Sequence, residues 1–404
     1  MRTVTFHSTL FAALLACLPQ GALLASPGAL AAALQPYVNR NELAGAVTLI
    51  ASKDKILDLE AIGYADLSVK KTMKTDCLFW IASMSKPIAA TALMMLVEEG
   101  KVKLDDPVQK YLPHFAPKIM GVTSDGTHVQ LEQPEHPITV RGLMNHTAGV
   151  VFRSSLETPT LDEFPLAVRV ESYSLEPLMF EPGDDWSYSN AGINIVARII
   201  EVVSGMSYEN FLQTRLFDPL GMHDTTFWPT DAQLTRLAKS YKPTDARNEL
   251  EETPITQLHY PLSDRKNRYA LPAGGLFSTA TDVAKFCQMV LSGGVYKGRR
   301  YLQATSIQEM TRNQISEAPR KSFDSGPWGF SGYGLGWFTT DSGTFGHPGA
   351  YSTSMRIDPA RGIVTIWLVQ HAAFPGDGAK SLDDFENFAS KHFGSVSTAN
   401  LPRR

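Results

Sequence analysis

Cysteine is scarce in this sequence of 404 residues, in which only Cys17, Cys77 and Cys287 occur. Apolar residues flank Cys77 and Cys287, and we interpret these two as buried free thiols. A disulfide between them stays open, because their presence alone does not decide pairing. No Cys-x-x-Cys pair is present, so a cysteine-based metal or redox motif is lacking.

Charge of one sign and long apolar runs are also missing. The 37 Lys and Arg residues nearly balance 41 Asp and Glu residues, leaving a formal net charge of -4. Since no basic cluster exceeds a few residues, we expect no nucleic-acid partner. After the amino terminus, no segment approaches the roughly 20 apolar residues of a membrane-spanning helix. The hydrophobic fraction of 43% is typical of a globular soluble protein.

Several catalytic signatures are absent as well. The sequence has no Gly-x-Ser-x-Gly, which argues against an ordinary α/β-hydrolase elbow. It has no His-Glu-x-x-His and no P-loop, and its 10 histidines show no metal-ligand spacing. We therefore expect neither a catalytic metal nor a cofactor.

The amino terminus predicts export. Residues 1–25 have the positive start, apolar core and small final residue, Ala25, of a secretory signal. Cleavage after Ala31 is disfavoured, because a structural helix is predicted to start before it. A lipoprotein anchor at Cys17 is disfavoured because the apolar run continues past it. We expect residues 26–404 to form one periplasmic or secreted domain.

The order of elements predicts an α+β fold. Strands are predicted at both ends of the chain, at 44–51, 56–64, 343–347, 352–357 and 362–369. Helices are predicted between and after them, at 83–99, 138–149, 191–204, 208–215, 281–292 and 381–393. One sheet built from both chain ends would carry a mainly helical insertion. We assign 26–85 and 270–395 to the α/β part and 86–269 to the helical part.

Ser83 is the candidate nucleophile. Ser83 and Lys86 lie one helical turn apart, which puts an amine within reach of a hydroxyl. Pro87 fits only if the helix begins close to Ser83. Ser-x-x-Lys occurs four times, but among Ser52, Ser68, Ser83 and Ser263 only Ser83 opens an apolar helix. An ordinary helix-capping serine is the alternative interpretation.

Two further segments carry candidate side chains. Tyr188-Ser189-Asn190 lies in a turn that leads directly into a helix, a junction that aims side chains at a cleft. Alternatively, Asn190 caps that helix and Tyr188 only packs. His347-Pro348-Gly349 lies on a predicted strand, where glycine allows another backbone or a ligand to approach. The alternative for His347 is a hydrogen-bonded strand histidine.

Taken in order, these motifs resemble those of the serine β-lactamase and penicillin-binding-protein superfamily. The resemblance is to the class C branch, with family VIII carboxylesterases and D-amino-acid peptidases, and spans about residues 28–393. The flanking segments 143–149, 218–222 and 273–282 also match the family style. It implies an antiparallel sheet flanked by helices and a covalent acyl-enzyme mechanism without a cofactor.

The resemblance also implies roles for individual residues. Ser83 would attack a carbonyl carbon, while Lys86 and Tyr188 share the proton, a nearby ammonium stabilising phenolate. Which of these two is the base stays open. Asn190 would hydrogen-bond Lys86 or the substrate, and the backbone N–H groups of Ser83 and Ala350 would form the oxyanion hole.

One departure from the family pattern points to the substrate. Related β-lactamases usually have Lys-Thr-Gly where this chain has His347, Pro348 and Gly349. With no lysine or threonine to hold a β-lactam carboxylate, we expect small carboxylic esters as substrates, bound by Asn190, His347, Gly349 and Ala350. The alternatives are a D-stereospecific aminopeptidase or DD-carboxypeptidase, a weak β-lactamase, and a non-hydrolytic penicillin-recognition protein.

Long loops are expected to form the substrate pocket. The segments 115–138, 241–272 and 313–331 are polar and contain proline. Candidate pocket walls are Trp186, Tyr260, Trp328 and Tyr351, with core packing as the alternative for each.

Overall fold

The central feature of the fold is an antiparallel sheet of eight strands. The computed structural model describes residues 28–116, 119–123, 129–317 and 321–393, so the predicted signal segment lies outside the described residues. In spatial order the strands are Gly332–Tyr333, Phe338–Thr339, Phe345–Pro348, Ser354–Asp358, Ile363–Leu368, Gly45–Ser52, Ile56–Asp66 and Lys71–Thr72.

The two chain ends meet in the middle of this sheet. Gly45–Ser52 pairs antiparallel with Ile363–Leu368, so that Val47 lies opposite Leu368. This pairing confirms the predicted α+β fold with a sheet built from both ends of the chain.

Helices cover both faces of the sheet. Along the central strand, Ala46 and Ile50 face a core formed with the helices Ala29–Asn39 and Lys380–His392. The alternate residues Val47 and Leu49 face the larger core, which includes the helix Ala280–Leu291. Side chains of a strand alternate between faces, so a central strand covered on both sides is mostly apolar, with Thr48 as a buried polar exception here.

The remaining helices follow between the two groups of strands. The α-helices of the described residues are Ala29–Asn39, Ser85–Glu98, Val140–Asn145, Leu166–Leu175, Asn190–Ser204, Tyr208–Leu212, Asp218–Leu220, Asp231–Leu234, Ala280–Leu291, Ala304–Thr311 and Lys380–His392. Single turns of 3-10 helix are Ala82–Met84, Val108–Lys110, Pro113–Phe115, Gly326–Trp328 and Ala350–Ser352, and Gln213–Phe217 is a π-helical turn. Short strand pairs join Phe79–Trp80 to Phe277–Ser278, Met120–Thr123 to Val129–Glu132, Tyr241–Pro243 to Leu250–Glu252, and Val295–Tyr296 to Arg299–Arg300.

Some predicted elements need correction. The helix expected to close at Gly149 ends instead at Asn145, and its C-cap, His146, adopts a left-handed φ of 67°. The segment 115–138, expected to be irregular, contains a strand pair in its described part. The helix Leu166–Leu175 was not predicted, because Arg169 occupies a core position of its buried face and interrupts the apolar pattern.

The cysteine prediction is confirmed, since Cys77 and Cys287 are both buried and free. Burial raises the pKa of both thiols, and for Cys77 this is the largest of several influences. Within the described ranges, no helix has the length and apolar character needed to cross a membrane. The same part of the chain contains no cluster of three or more metal-ligating side chains.

Candidate active site

Ser83 lies at a sharp junction between a strand and a helix. The strand Phe79–Trp80 is followed by the turn Ala82–Met84 and then by the helix Ser85–Glu98. Ala82 adopts a left-handed φ of 45°, which is strained for a residue with a side chain. Ser83 is only half-buried, whereas both its neighbours are buried. The junction therefore presents one hydroxyl at the end of a buried helix, as the sequence predicted.

Lys86 is fully buried and makes three hydrogen-bonding contacts. Its Nζ lies 3.1 Å from Ser83 Oγ, 2.8 Å from Asn190 Oδ1 and 2.8 Å from the carbonyl oxygen of Ala273. Burial lowers the pKa of Lys86 well below its usual value, because a buried ammonium loses its hydration. A neutral amine has two N–H donors for the two carbonyl oxygens, which leaves its lone pair for the Ser83 hydroxyl.

Asn190 is free to contact Lys86 because another residue caps its helix. Ser189 is the N-cap of Asn190–Ser204, and its hydroxyl oxygen accepts the N–H of Gly192 at 2.9 Å. The same hydroxyl donates to the carbonyl oxygen of Val151 at 2.7 Å. The interpretation of Asn190 as the cap is therefore wrong.

Tyr188 completes a cluster with Ser83 and Lys86. Lys86 Nζ lies 4.5 Å from the centroid of the Tyr188 ring. Burial raises the pKa of Tyr188, and a hydrogen bond with the Ser83 side chain only partly opposes this. With the pKa of Lys86 lowered and that of Tyr188 raised, the resting site favours a neutral amine beside a neutral phenol. Both shifts oppose the expected pair of phenolate and ammonium, which stays a prediction.

His347 is buried behind this cluster with both ring nitrogens occupied. Nδ1 lies 2.6 Å from the Pro348 carbonyl oxygen, to which it must donate, and Nε2 accepts from the Tyr333 hydroxyl at 3.1 Å. Burial and the nearby Lys86 lower the pKa of His347 well below its usual value. The imidazole is therefore neutral, and neither nitrogen is available to a substrate without breaking a hydrogen bond.

Gly349 connects the third motif to the first. A Cβ at this position would collide with the Thr353 hydroxyl and lie 2.5 Å from the carbonyl oxygen of Ile81. Only glycine allows this close approach, which places Ala350 beside the segment that carries Ser83. Ser83 lies in a one-turn 3-10 helix, and Ala350 opens a tight turn in which Tyr351 adopts a left-handed φ of 62°. Backbone N–H groups at the start of such turns have no partner within the turn. Such N–H groups can bind an oxyanion.

The aromatic residues predicted as pocket walls have different environments. Trp186 and Tyr351 are buried, with the Trp186 ring 6.3 Å from Tyr188 and the Tyr351 ring 5.3 Å from Trp80. Tyr260 is 46% exposed, and its hydroxyl oxygen accepts the N–H of Ile255 at 3.0 Å. The structure therefore leaves Tyr260 the most accessible of these three.

The sequence did not indicate that Phe152 and Phe330 lie near the candidate active site. Phe152 is 43% exposed, and its ring lies 6.4 Å from that of Tyr188. Its backbone carbonyl accepts the N–H of Ala191. Phe330 belongs to an aromatic cluster against which both Trp328 and Tyr188 pack. No local pattern around Phe152 signals its position, which depends on two segments distant in sequence.

His146 is a third residue that the sequence did not single out. Its Nδ1 accepts the N–H of Ser189 at 3.3 Å, and its backbone carbonyl accepts the N–H of Ser187. Its ring lies 4.7 Å from that of Tyr188. His146 thus supports the turn that carries Tyr188. It lies in the flanking segment 143–149, and the match of this segment to the family style was the one feature of the sequence that could have indicated its role.

Comparisons with known proteins agree with this arrangement. The family described as beta-lactamase matches residues 30–384. Protein Rv1367c of Mycobacterium tuberculosis is 30% identical over 362 residues, covering 84% of this chain and 89% of that protein. Esterase EstB of Burkholderia gladioli is 28% identical over 373 residues, covering 84% and 88%. The solved structure of EstCE1, a hydrolase with promiscuous acyltransferase activity, superposes with a TM-score of 0.72 at 25% identity, covering 89% of this chain and 96% of that chain.

Proposed function

The chain belongs to the β-lactamase family, and we propose that it is a serine hydrolase that cleaves small uncharged carboxylic esters through an acyl-enzyme on Ser83. The observation that carries this proposal is the set of three contacts made by the buried Lys86 amine. Two carbonyl oxygens take its N–H groups, so its lone pair is directed at the Ser83 hydroxyl. A serine becomes a useful nucleophile when a base is oriented on it in this way.

Acylation begins when the Lys86 amine takes the Ser83 proton and Oγ bonds to the ester carbonyl carbon. The backbone N–H groups of Ser83 and Ala350 stabilise the resulting oxyanion. As the bond to the leaving alkoxide breaks, the Tyr188 hydroxyl protonates the alkoxide, and the Lys86 ammonium returns a proton to Tyr188. An alcohol leaves, and the acyl group stays on Ser83.

Deacylation uses the same groups in reverse. Water attacks the acyl carbon while Tyr188 and Lys86 together accept its proton, and Ser83 Oγ departs and recovers a proton. A neutral Lys86 amine beside a neutral Tyr188 phenol suits this cycle, because the amine can accept a proton and the phenol can donate one.

The third motif supports an uncharged substrate. Both His347 nitrogens are already hydrogen-bonded, and Pro348 has no N–H to donate. A β-lactam or a DD-peptide brings a carboxylate, which is costly to desolvate without a cationic partner. A neutral ester avoids this cost, and the similarity to the esterase EstB supports ester hydrolysis.

A panel of three substrates tests the proposal. Purified protein is assayed with p-nitrophenyl butyrate, D-alanine amide and nitrocefin, and we expect kcat/KM to be highest for the ester. Ser83→Ala should lose on the order of 10³-fold or more of the activity. Ser68→Ala is the matched control, because exposed Ser68 belongs to another Ser-x-x-Lys sequence.

Three results would count against the proposal. Ester hydrolysis that survives in Ser83→Ala would exclude the nucleophile. A preference for D-alanine amide or nitrocefin over the ester would assign the site to the alternative substrates. A stable adduct on Ser83 without turnover, seen by intact mass spectrometry, would indicate a penicillin-recognition protein.

A further inference from the structure

A second hydrogen-bonded path leads away from Lys86 through Ala273. The Ala273 carbonyl accepts from Lys86 Nζ, and the Ala273 N–H donates to Asn194 Oδ1 at 3.2 Å. Asn194 is fully buried one helical turn after Asn190. One helix therefore holds the Lys86 amine twice, directly through Asn190 and indirectly through Asn194.

The path continues into the helical part of the molecule. Asn194 Nδ2 donates to the Tyr173 hydroxyl at 2.9 Å, and this hydroxyl donates to Glu157 Oε1 at 2.7 Å. The direction of each bond is imposed by the Ala273 N–H, which can only donate. It requires Oδ1 of Asn194 on its side, which turns the NH₂ group towards Tyr173. Glu157, at the end, is an acceptor.

Arg169 ties the same network to the Ala273 segment a second time. Its guanidinium lies 3.7 Å from Glu157 and donates to the carbonyl oxygens of Ala270 and Leu161. The segment 270–273 is thus held at Ala270 by Arg169 and at Ala273 by Asn194. Glu157, Arg169, Tyr173 and Asn194 are all 1% exposed or less.

Burying this many polar groups is expensive. Apolar side chains of similar volume often stabilise a core as well as a buried ion pair does. Here each of the four side chains is instead connected to the segment that orients the catalytic amine. The network ends at the Ala273 carbonyl oxygen, which contacts Lys86. Packing of the core alone does not require this connection.

We propose that Asn194, Tyr173 and Glu157 form a positioning relay that holds the Ala273 carbonyl against the Lys86 amine and so keeps the amine lone pair on Ser83. This inference rests on the proposed function. If the carbonyl shifted, one buried N–H of Lys86 would lose its acceptor, and the amine would rotate to find another.

The relay also influences when Lys86 takes up a proton. A carbonyl oxygen stabilises an ammonium more than an amine, so losing it disfavours protonation of Lys86. Tyr188, His146 and His347 are the other titratable groups near Lys86 on neighbouring elements. Burial keeps both histidines neutral, so the acid limb of reactivity reports mainly on Lys86.

The test is Tyr173→Phe, which removes one hydroxyl from the relay and leaves the ring in place. The readout is the rate at which a fluorophosphonate probe labels Ser83 between about pH 5 and pH 10, together with the melting temperature. Tyr208→Phe is the matched control, because Tyr208 is equally buried and its hydroxyl has no partner among the described residues. Asn194→Leu serves as a second relay variant if Tyr173→Phe does not fold.

We expect Tyr173→Phe to label roughly tenfold more slowly at its optimum, because small displacements of reacting groups cost this much or more. Its acid limb should move to lower pH, and Tyr208→Phe should match the wild type. An acid limb at the wild-type pH would overturn the relay, whether or not labelling is slower. Slower labelling with an unchanged acid limb is what a loss of packing alone would produce. Failure of the wild type to label at Ser83 would instead overturn the proposed function, and the relay with it.

Discussion

Replacing Gly349 by alanine tests the oxyanion site at the point where two motifs meet. The new Cβ would lie 2.5 Å from the Ile81 carbonyl oxygen, where real Cβ atoms essentially never come closer than 3.0 Å. The segment that carries Ala350 must therefore move away from Ser83 by about half an ångström. Oxyanion donors act within about 2.7–3.1 Å, so this movement takes the Ala350 N–H out of range.

The expected result is a loss of kcat on the order of 10²–10³ with little change in KM, because the oxyanion forms only after the substrate binds. The displacement should also cost about 1–3 kcal/mol of stability. Kinetics with p-nitrophenyl butyrate measure the first effect, and thermal denaturation measures the second.

Gly274→Ala is the matched control. A Cβ on Gly274 would also approach the site segment, but its nearest neighbour, the Ala82 carbonyl carbon, lies 3.6 Å away. This variant should keep normal kinetics. A folded Gly349→Ala protein with kcat within about threefold of the wild type would refute the reasoning, since the Ala350 N–H then could not be an oxyanion donor.

Three further predictions follow from the geometry. Lys86→Gln should lower kcat/KM for p-nitrophenyl butyrate by on the order of 10³-fold. Lys71→Gln, in an exposed Ser-x-x-Lys sequence, is the control and should keep its activity. Near-normal activity of Lys86→Gln would exclude Lys86 as the base. The pH profile of kcat/KM should rise through a Lys86 pKa well below 10.5, because burial favours the active neutral amine, while loss of the Tyr188 proton comes only above its usual pKa of 10.0; an acid limb near 10.5 would contradict this. Cys77 and Cys287 should resist iodoacetamide in the folded protein, since burial raises the pKa of each thiol, and peptide mass spectrometry showing modification of either would contradict their burial.

Part of the candidate active site could be predicted from the sequence, because its residues lie close together in the chain. Ser83 and Lys86 lie one turn apart on one helix, and their proximity needs only that the helix forms. The strands could also be predicted, because a short and mostly apolar run such as Gly45–Ser52 is typical of a strand buried on both faces. Predictions were wrong where tertiary contacts determine the structure. The helix Val140–Asn145, for example, is capped by His146, whose ring also accepts the N–H of Ser189.

The sequence by itself determined the fold class and the proximity of Ser83 and Lys86, since these depend on periodicity and short spacings. Only the tertiary structure decided the direction in which the pKa of Lys86 and of Tyr188 shifts, because desolvation depends on how much of the chain surrounds a group. It also decided that Ser189 rather than Asn190 caps its helix, and that His347 has no nitrogen to spare. The Ala273 carbonyl and the residues behind it carry no sequence signal, because a backbone oxygen has no residue identity and its partner Asn194 is 79 positions away in the chain.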